Sequence, residues 1–214
     1  MSLWGSKLSW ILLIIAIIGD YVVAYVLAFF YPNYSHMKQV MSVLGNPKSP
    51  VASFYNIWLI ILGILMCISA VNFYIVYSEV SKGYASAGTI ILLIFGIGAG
   101  IISGIFSVNE VKEIETIASK IHGIGAGIGF LVLTFIPLVV GVISYKEYDS
   151  IIGIISIALF ILSILLFVLF IMSEREIYQN SIIGLSGLWQ RLLLGSMYIP
   201  LLLIAFKNIL KSHI

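Results

Sequence analysis

The sequence is dominated by apolar runs of the length that a lipid bilayer imposes. Hydrocarbon about 30 Å thick requires about 20 consecutive apolar residues when it is crossed as an α-helix. Six stretches meet that requirement: Leu8–Phe30, Val51–Ser78, Tyr84–Phe106, Ile121–Tyr145, Ile151–Met172 and Ile182–Phe206. Each must be helical, because lipid offers no water to satisfy backbone N–H and C=O groups. Leu, Ile and Val fill the centres without the strict alternation of a membrane β-strand. Composition agrees: 61% of the residues are hydrophobic, 9% are charged and the mean hydropathy is +1.16. Soluble domains carry about 25% charged residues. The reading is an all-α membrane protein, a six-transmembrane-helix bundle forming a single domain over residues 1–214.

Charge and cysteine content narrow the classes further. The formal net charge is only +2, so no nucleic-acid partner is implied. Cys67 is the sole cysteine, which excludes an intramolecular disulfide and a thiolate-rich metal site. Lys7 before an apolar stretch resembles the start of a signal peptide. That stretch continues to Phe30 without a clean small-x-small cleavage pattern, so it reads as a retained span. The second span is long enough to tilt or to extend into the interface. Pro137 and Pro200 predict local kinks in the fourth and sixth spans.

The connections alternate in length. Short links around Glu79–Gly83 and Lys146–Ser150 share one side with both termini, and Tyr31–Pro50, Ser107–Lys120 and Ser173–Ser181 form the other. The short-loop side carries Lys7, Lys82, Lys146, Lys207 and Lys211. The long-loop side carries Lys38, Lys48, Lys112, Lys120 and Arg175, with Arg191 set deeper. The density of basic residues favours the short-loop side as cytoplasmic, in a cell membrane. Within the Ser107–Lys120 link, Val108, Val111, Ile114, Ala118 and Ile121 recur at helical spacing between acidic and basic residues. This pattern predicts a short amphipathic interfacial helix between spans three and four, with a solvated loop as the alternative.

Glycines mark two further spans. Gly96, Gly100 and Gly104 form a ladder on one face of span three; span four carries Gly123 and Gly127, with Gly125 and Gly129 on a neighbouring face. Small residues at this spacing let helices approach closely in lipid. They predict packing of span three on span four, or of one of them on a second copy or membrane partner. The sequence GIGAGI occurs at both Gly96–Ile101 and Gly123–Ile128. Neither copy has the strand–turn–helix context of a nucleotide site.

Polar residues inside the spans are the candidates for function. Asp20 stands near the middle of the first span, where a carboxylate costs about 2.5–3.5 kcal/mol even on the lenient insertion scale. It must face the bundle, be protonated or meet a cation. Arg191, beside Trp189 and Gln190, is the candidate partner, roughly one-third of the way into the last span at about 1.5 Å per residue. The pair would line a substrate or proton site, or merely fix helix packing. His122 opens span four on the same face, and Asn109, Glu110, Tyr34, His36 and Asn46 could gather at the mouth. Asn56 joins the ligand candidates, although Asn56 and Asn72 also suit hydrogen bonding between helices. No metal site is expected, since zinc wants three or more fixed ligands and His213 lies at the far terminus. Haem would need two placed histidines. Which cofactor, if any, the chain uses stays unknown from the sequence. Asn33 to Ser35 matches a glycosylation sequon, a pattern too common to use.

Several of these stretches resemble one family. SVLGNPKSP at Ser42–Pro50 leading into Phe54, Tyr55 and Asn56 is similar to the entry to its second span. Gly96–Gly104 running into Phe106, Asn109 and Glu110, then HGIGAGIGF at His122–Phe130 and GLWQR at Gly187–Arg191, look like its third, fourth and sixth spans. The family is the uncharacterised prokaryotic membrane family catalogued as domain of unknown function 998. The resemblance implies a six-helix membrane protein and carries no activity with it. A looser likeness to six-span eukaryotic proteins of the Frag1 type hints at lipid handling, by analogy of fold alone.

Two functional expectations follow. One is a polar site in the bundle, lined by Asp20, Arg191 and His122 with Trp189, Asn109, Glu110 and Asn56 nearby, for a lipid or small amphipathic ligand. The other is a structural or interaction protein that packs through the glycine faces. Transport would be unusual for six spans without paired broken helices. The chain shows no recognisable nucleophile–base constellation, so whether it is an enzyme stays open.

Overall fold

A computed structural model describes residues 4–109 and 116–211 of the chain. Among them six helices are long and apolar enough to cross a membrane, and no strand occurs. They are α1 (Lys7–Ala28), α2 (Ala52–Tyr77), α3 (Lys82–Ile105), α4 (Ile117–Lys146), α5 (Ser150–Ser173) and α6 (Ser186–Lys211). The protein is a multi-pass membrane protein with an all-α bundle. Every expected span is present, with ends displaced by at most five residues.

Contacts run α1–α2–α3–α4 around the bundle, and α6 closes it by packing on α1, α5 and the second half of α4. α5 is peripheral: its buried positions include Gly153, Ser156, Ser163 and Ser173, while Ile151, Ile154, Ile161 and Leu165 stay exposed. The Ser163 and Ser196 hydroxyls meet at 2.8 Å and tie α5 to α6. α1 and α5 scarcely touch each other, so a groove is left between them with α6 as its floor. On the short-loop side Lys207 of α6 bonds Glu147 at 3.0 Å and Asp149 at 2.9 Å. Asp149 also accepts the Ile152 N–H at the start of α5. The ammonium beside it holds the Asp149 carboxyl below the ordinary range.

Two irregularities follow from sequence. Gly96–Ile102 in α3 is a π-helical segment, in which the wider turn and the absent side chains bring the backbone close to its neighbours. α4 breaks at Thr134 and Phe135, and its second part starts at Ile136 with Pro137 in its first turn. There a proline's missing N–H costs nothing, which is why the break falls just before it. α6, by contrast, continues through Pro200 as helix.

The glycine expectation needs correcting. The Gly96–Gly100–Gly104 ladder faces α2, not α4: a methyl at Gly100 would strike the Gly63 backbone, and one at Gly104 the Asn56 carbonyl. α3 and α4 do pack together, but through Gly98, Gly125 and Gly129. Around Gly123 and Gly127 there is open space. Spacing showed which residues share a helical face; it could not show which neighbour that face meets. Of the expected interfacial helix, residues 110–115 lie outside the described residues. Val108 and Asn109 are not helical, and Ile117–Ile121 is already the start of α4.

Candidate functional site

Polar side chains within the bundle gather around two separate spaces. The first is a small cavity of about 50 Å³ lined by Asp20, Ser42, Tyr55, Ser103, His122 and Gln190 among apolar neighbours. Asp20 is 3% exposed. Its carboxylate accepts a hydrogen bond from the Tyr198 hydroxyl at 3.0 Å. The Trp58 indole N–H stands near the carboxylate without the geometry of a formed bond and has no other acceptor. Gly19 makes this arrangement possible, because the Trp58 ring lies where a Cβ on Gly19 would be. His122, 5% exposed, turns Nδ1 toward the Phe106 carbonyl at 2.8 Å and the Ser103 carbonyl at 3.2 Å. Carbonyls only accept, so the ring proton sits on Nδ1 and Nε2 is left with its lone pair. The Gln190 side-chain oxygen accepts the Met41 N–H at 2.7 Å and anchors the first long loop over the cavity.

The second space is the groove between α1, α5 and α6, with a volume of about 500 Å³. Leu159, Leu162, Leu166, Leu192 and Ile199 give it apolar walls, and Tyr21, Tyr25, His36 and Arg191 form its polar end. Arg191 is 7% exposed and fastens the first long loop to α6. Nη1 donates to the carbonyls of His36 at 2.7 Å, Gly187 at 2.8 Å and Gln39 at 3.1 Å. Nη2 donates to the Tyr34 hydroxyl at 2.8 Å and to His36 Nδ1 at 3.3 Å. The guanidinium also lies over the Tyr25 ring, 5.8 Å from its centroid, and His36 stacks on that same ring. Burial raises the pKa of the Tyr34 hydroxyl. Burial, and then the neighbouring guanidinium, lower that of His36.

The expected Asp20–Arg191 ion pair does not form. Every acceptor of Arg191 is a carbonyl, a hydroxyl or a ring nitrogen, and no carboxylate lies within 4 Å among the described residues. The hydroxyl of Tyr21, adjacent to Asp20, reaches the Arg191 carbonyl at 2.6 Å. The two charges therefore sit on the same helix pair but in different spaces, Asp20 with Gln190 and Tyr21 with Arg191. His122 lines the same cavity as Asp20, and Tyr34 and His36 lie at Arg191.

The other candidates have local partners and line neither space. The Trp189 indole donates to the Ile183 carbonyl at 2.9 Å. Asn56 ties the Gly45 carbonyl and the Ser107 hydroxyl together, both at 3.0 Å. Asn109 accepts from the hydroxyl of Thr116, the N-cap of α4, at 2.8 Å and donates to the Ser119 hydroxyl at 3.0 Å. Glu110 lies outside the described residues. Among the described residues no group of three or more His, Cys, Asp or Glu could hold a metal ion. Tyr198, Tyr55 and Tyr25 were missed, because a tyrosine in an apolar span looks the same whether its hydroxyl meets lipid headgroups, core or ligand.

Comparison with known proteins gives one result. The model of the family described as "Protein of unknown function (DUF998)" matches residues 14–207, from the middle of α1 to near the end of α6. No curated protein and no solved structure matches.

Proposed function

The chain belongs to the DUF998 family, and from its own geometry we propose that it binds an amphipathic membrane lipid in the α1–α5–α6 groove. One observation carries this reading: a 500 Å³ apolar groove ends in a polar cluster at the long-loop end of the bundle. Ligand sites are commonly apolar clefts of about 300–1,000 Å³ with a few placed polar groups. The small cavity beside Asp20, at about 50 Å³, suits one or two waters or a small polar group rather than a lipid. The test is titration of delipidated protein with a lipid whose acyl chain carries a bromine quencher. Saturable quenching of a Trp introduced as Leu162→Trp is expected, with no quenching of one at Leu165→Trp beyond that in bulk detergent. Equal quenching at both positions would sink the reading.

The open stripe at Gly123 and Gly127 favours a second reading, close packing of α4 on a second copy or another membrane helix. Gly127→Leu would then change the cross-linked species formed in membranes, while an unchanged pattern counts against it. For orientation we place both termini in the cytoplasm of a cell membrane, on the density of lysines at the short-loop side. A cysteine placed at Ser2 should react with an impermeant maleimide only after the membrane is opened; labelling of intact cells would reverse the topology.

A further inference from the structure

We infer that the lipid held in the α1–α5–α6 groove is anionic, an acidic phospholipid whose headgroup sits against Arg191, His36 and Tyr25. The inference rests on the lipid reading above and adds the chemistry of the headgroup. Arg191 brings a permanent positive charge to the polar end of the groove, 7% exposed and with only neutral groups as hydrogen-bond partners. A buried cation whose hydrogen-bond partners are all neutral, with the Asp20 carboxylate as a more distant charge facing the other space, attracts an anion, because the surrounding dielectric is low and salt screens it little. Donors at the same place point to the same charge. Since the guanidinium can only donate, His36 Nδ1 must accept, and the His36 ring proton is on Nε2. Nε2–H is therefore a donor at the groove end, where His36 stacks on Tyr25, itself 43% exposed with a hydroxyl to offer.

The remaining spaces make poor alternatives. The crevice lined by Ile94, Ile97, Ile102, Ile124 and Ile128 between α3 and α4 is apolar, with no charge to select a headgroup. The Asp20 cavity has the wrong sign: a carboxylate and the bare Nε2 of His122 repel an anion.

The experiment is native mass spectrometry of delipidated full-length protein titrated with phosphatidylglycerol or phosphatidylcholine of identical acyl chains. The wild type should prefer phosphatidylglycerol by about tenfold or more. Arg191 also fastens a loop, so its removal risks misfolding; the groove is therefore tested separately with Gly195→Leu. A Cβ there meets only the Tyr21 hydroxyl at 3.4 Å, and the longer side chain fills the groove. Loss of both lipids in Gly195→Leu, with the tenfold preference in the wild type, is the expected result. Equal affinity for the two lipids, both lost in Gly195→Leu, would overturn the anionic headgroup and leave the groove standing. No saturable binding, or binding that Gly195→Leu leaves unchanged, would overturn both.

Discussion

The cavity and the groove are built from adjacent residues of the same two helices, yet they have opposite polarity. Asp20 and Gln190 face the cavity, and Tyr21 and Arg191, each one residue further on, face the groove. One helical step of about 100° separates the two sets. The histidines make the contrast sharper. His122 bonds carbonyls through Nδ1 and leaves an acceptor in the cavity; His36 accepts from a guanidinium and leaves a donor in the groove. One space is acidic and about 50 Å³; the other is cationic, mostly apolar and about 500 Å³. The lesson is that opposite charges in one bundle need not be partners. The packing around each decides what it meets.

Substitutions should separate the two spaces in order of size. Arg191→Leu should cost most, about 3–5 kcal/mol at about 1–3 kcal/mol for each buried acceptor left unsatisfied, because three carbonyls and the Tyr34 hydroxyl lose their donor. Thermal unfolding in detergent measures it, and Arg191→Lys should recover only part of the loss, since an ammonium lacks the planar fork. Tyr198→Phe should cost less, about 1–3 kcal/mol, by leaving the Asp20 carboxylate without its hydroxyl donor. Asp20→Asn should be milder still, since an amide oxygen also accepts from Tyr198. A Tyr198→Phe loss as large as that of Arg191→Leu would mean the two spaces are not energetically distinct.

A pH scan provides a third contrast. The folded His36 has a pKa below its ordinary value of 6.5, so the unfolded chain takes up the proton first as pH falls. The stability it contributes is complete above that value and declines as pH drops from there toward the folded pKa. Unfolding measured across this window should slope downward toward acid in the wild type. His36→Gln should remove that part of the slope, and an unchanged slope would show that His36 does not report on the groove. The smallest effect is expected for Gly195→Leu, within about 0.5 kcal/mol of wild type, since its Cβ enters open groove. A larger loss would show that α1 and α5 close over the groove more tightly than the geometry indicates.

Much of this protein was legible in its residues. Apolar run length set the number of crossings, and the break of α4 before Pro137 followed from a missing N–H. Asp20, His122 and Arg191 stood out because lipid makes each of them costly, and all three prove to be buried. The pairing of Asp20 with Arg191 failed, as did the assignment of the Gly96–Gly104 ladder to α4. Both errors have one origin. In a soluble protein polar surface and apolar core mark which face of a helix turns inward, whereas in a membrane helix both faces are apolar.

The chain by itself therefore determined a six-span helical membrane protein and the few positions where charge is placed at a cost. Lipid acts on those properties directly, through length and solvation, without reference to neighbours. Which helix meets which, and so the gap between α1 and α5 that makes the groove, was decided only by the tertiary structure. In lipid those choices depend on close van der Waals fit and single hydrogen bonds. Both arise between residues far apart in the chain, such as Tyr198 with Asp20 and Arg191 with the carbonyl of His36.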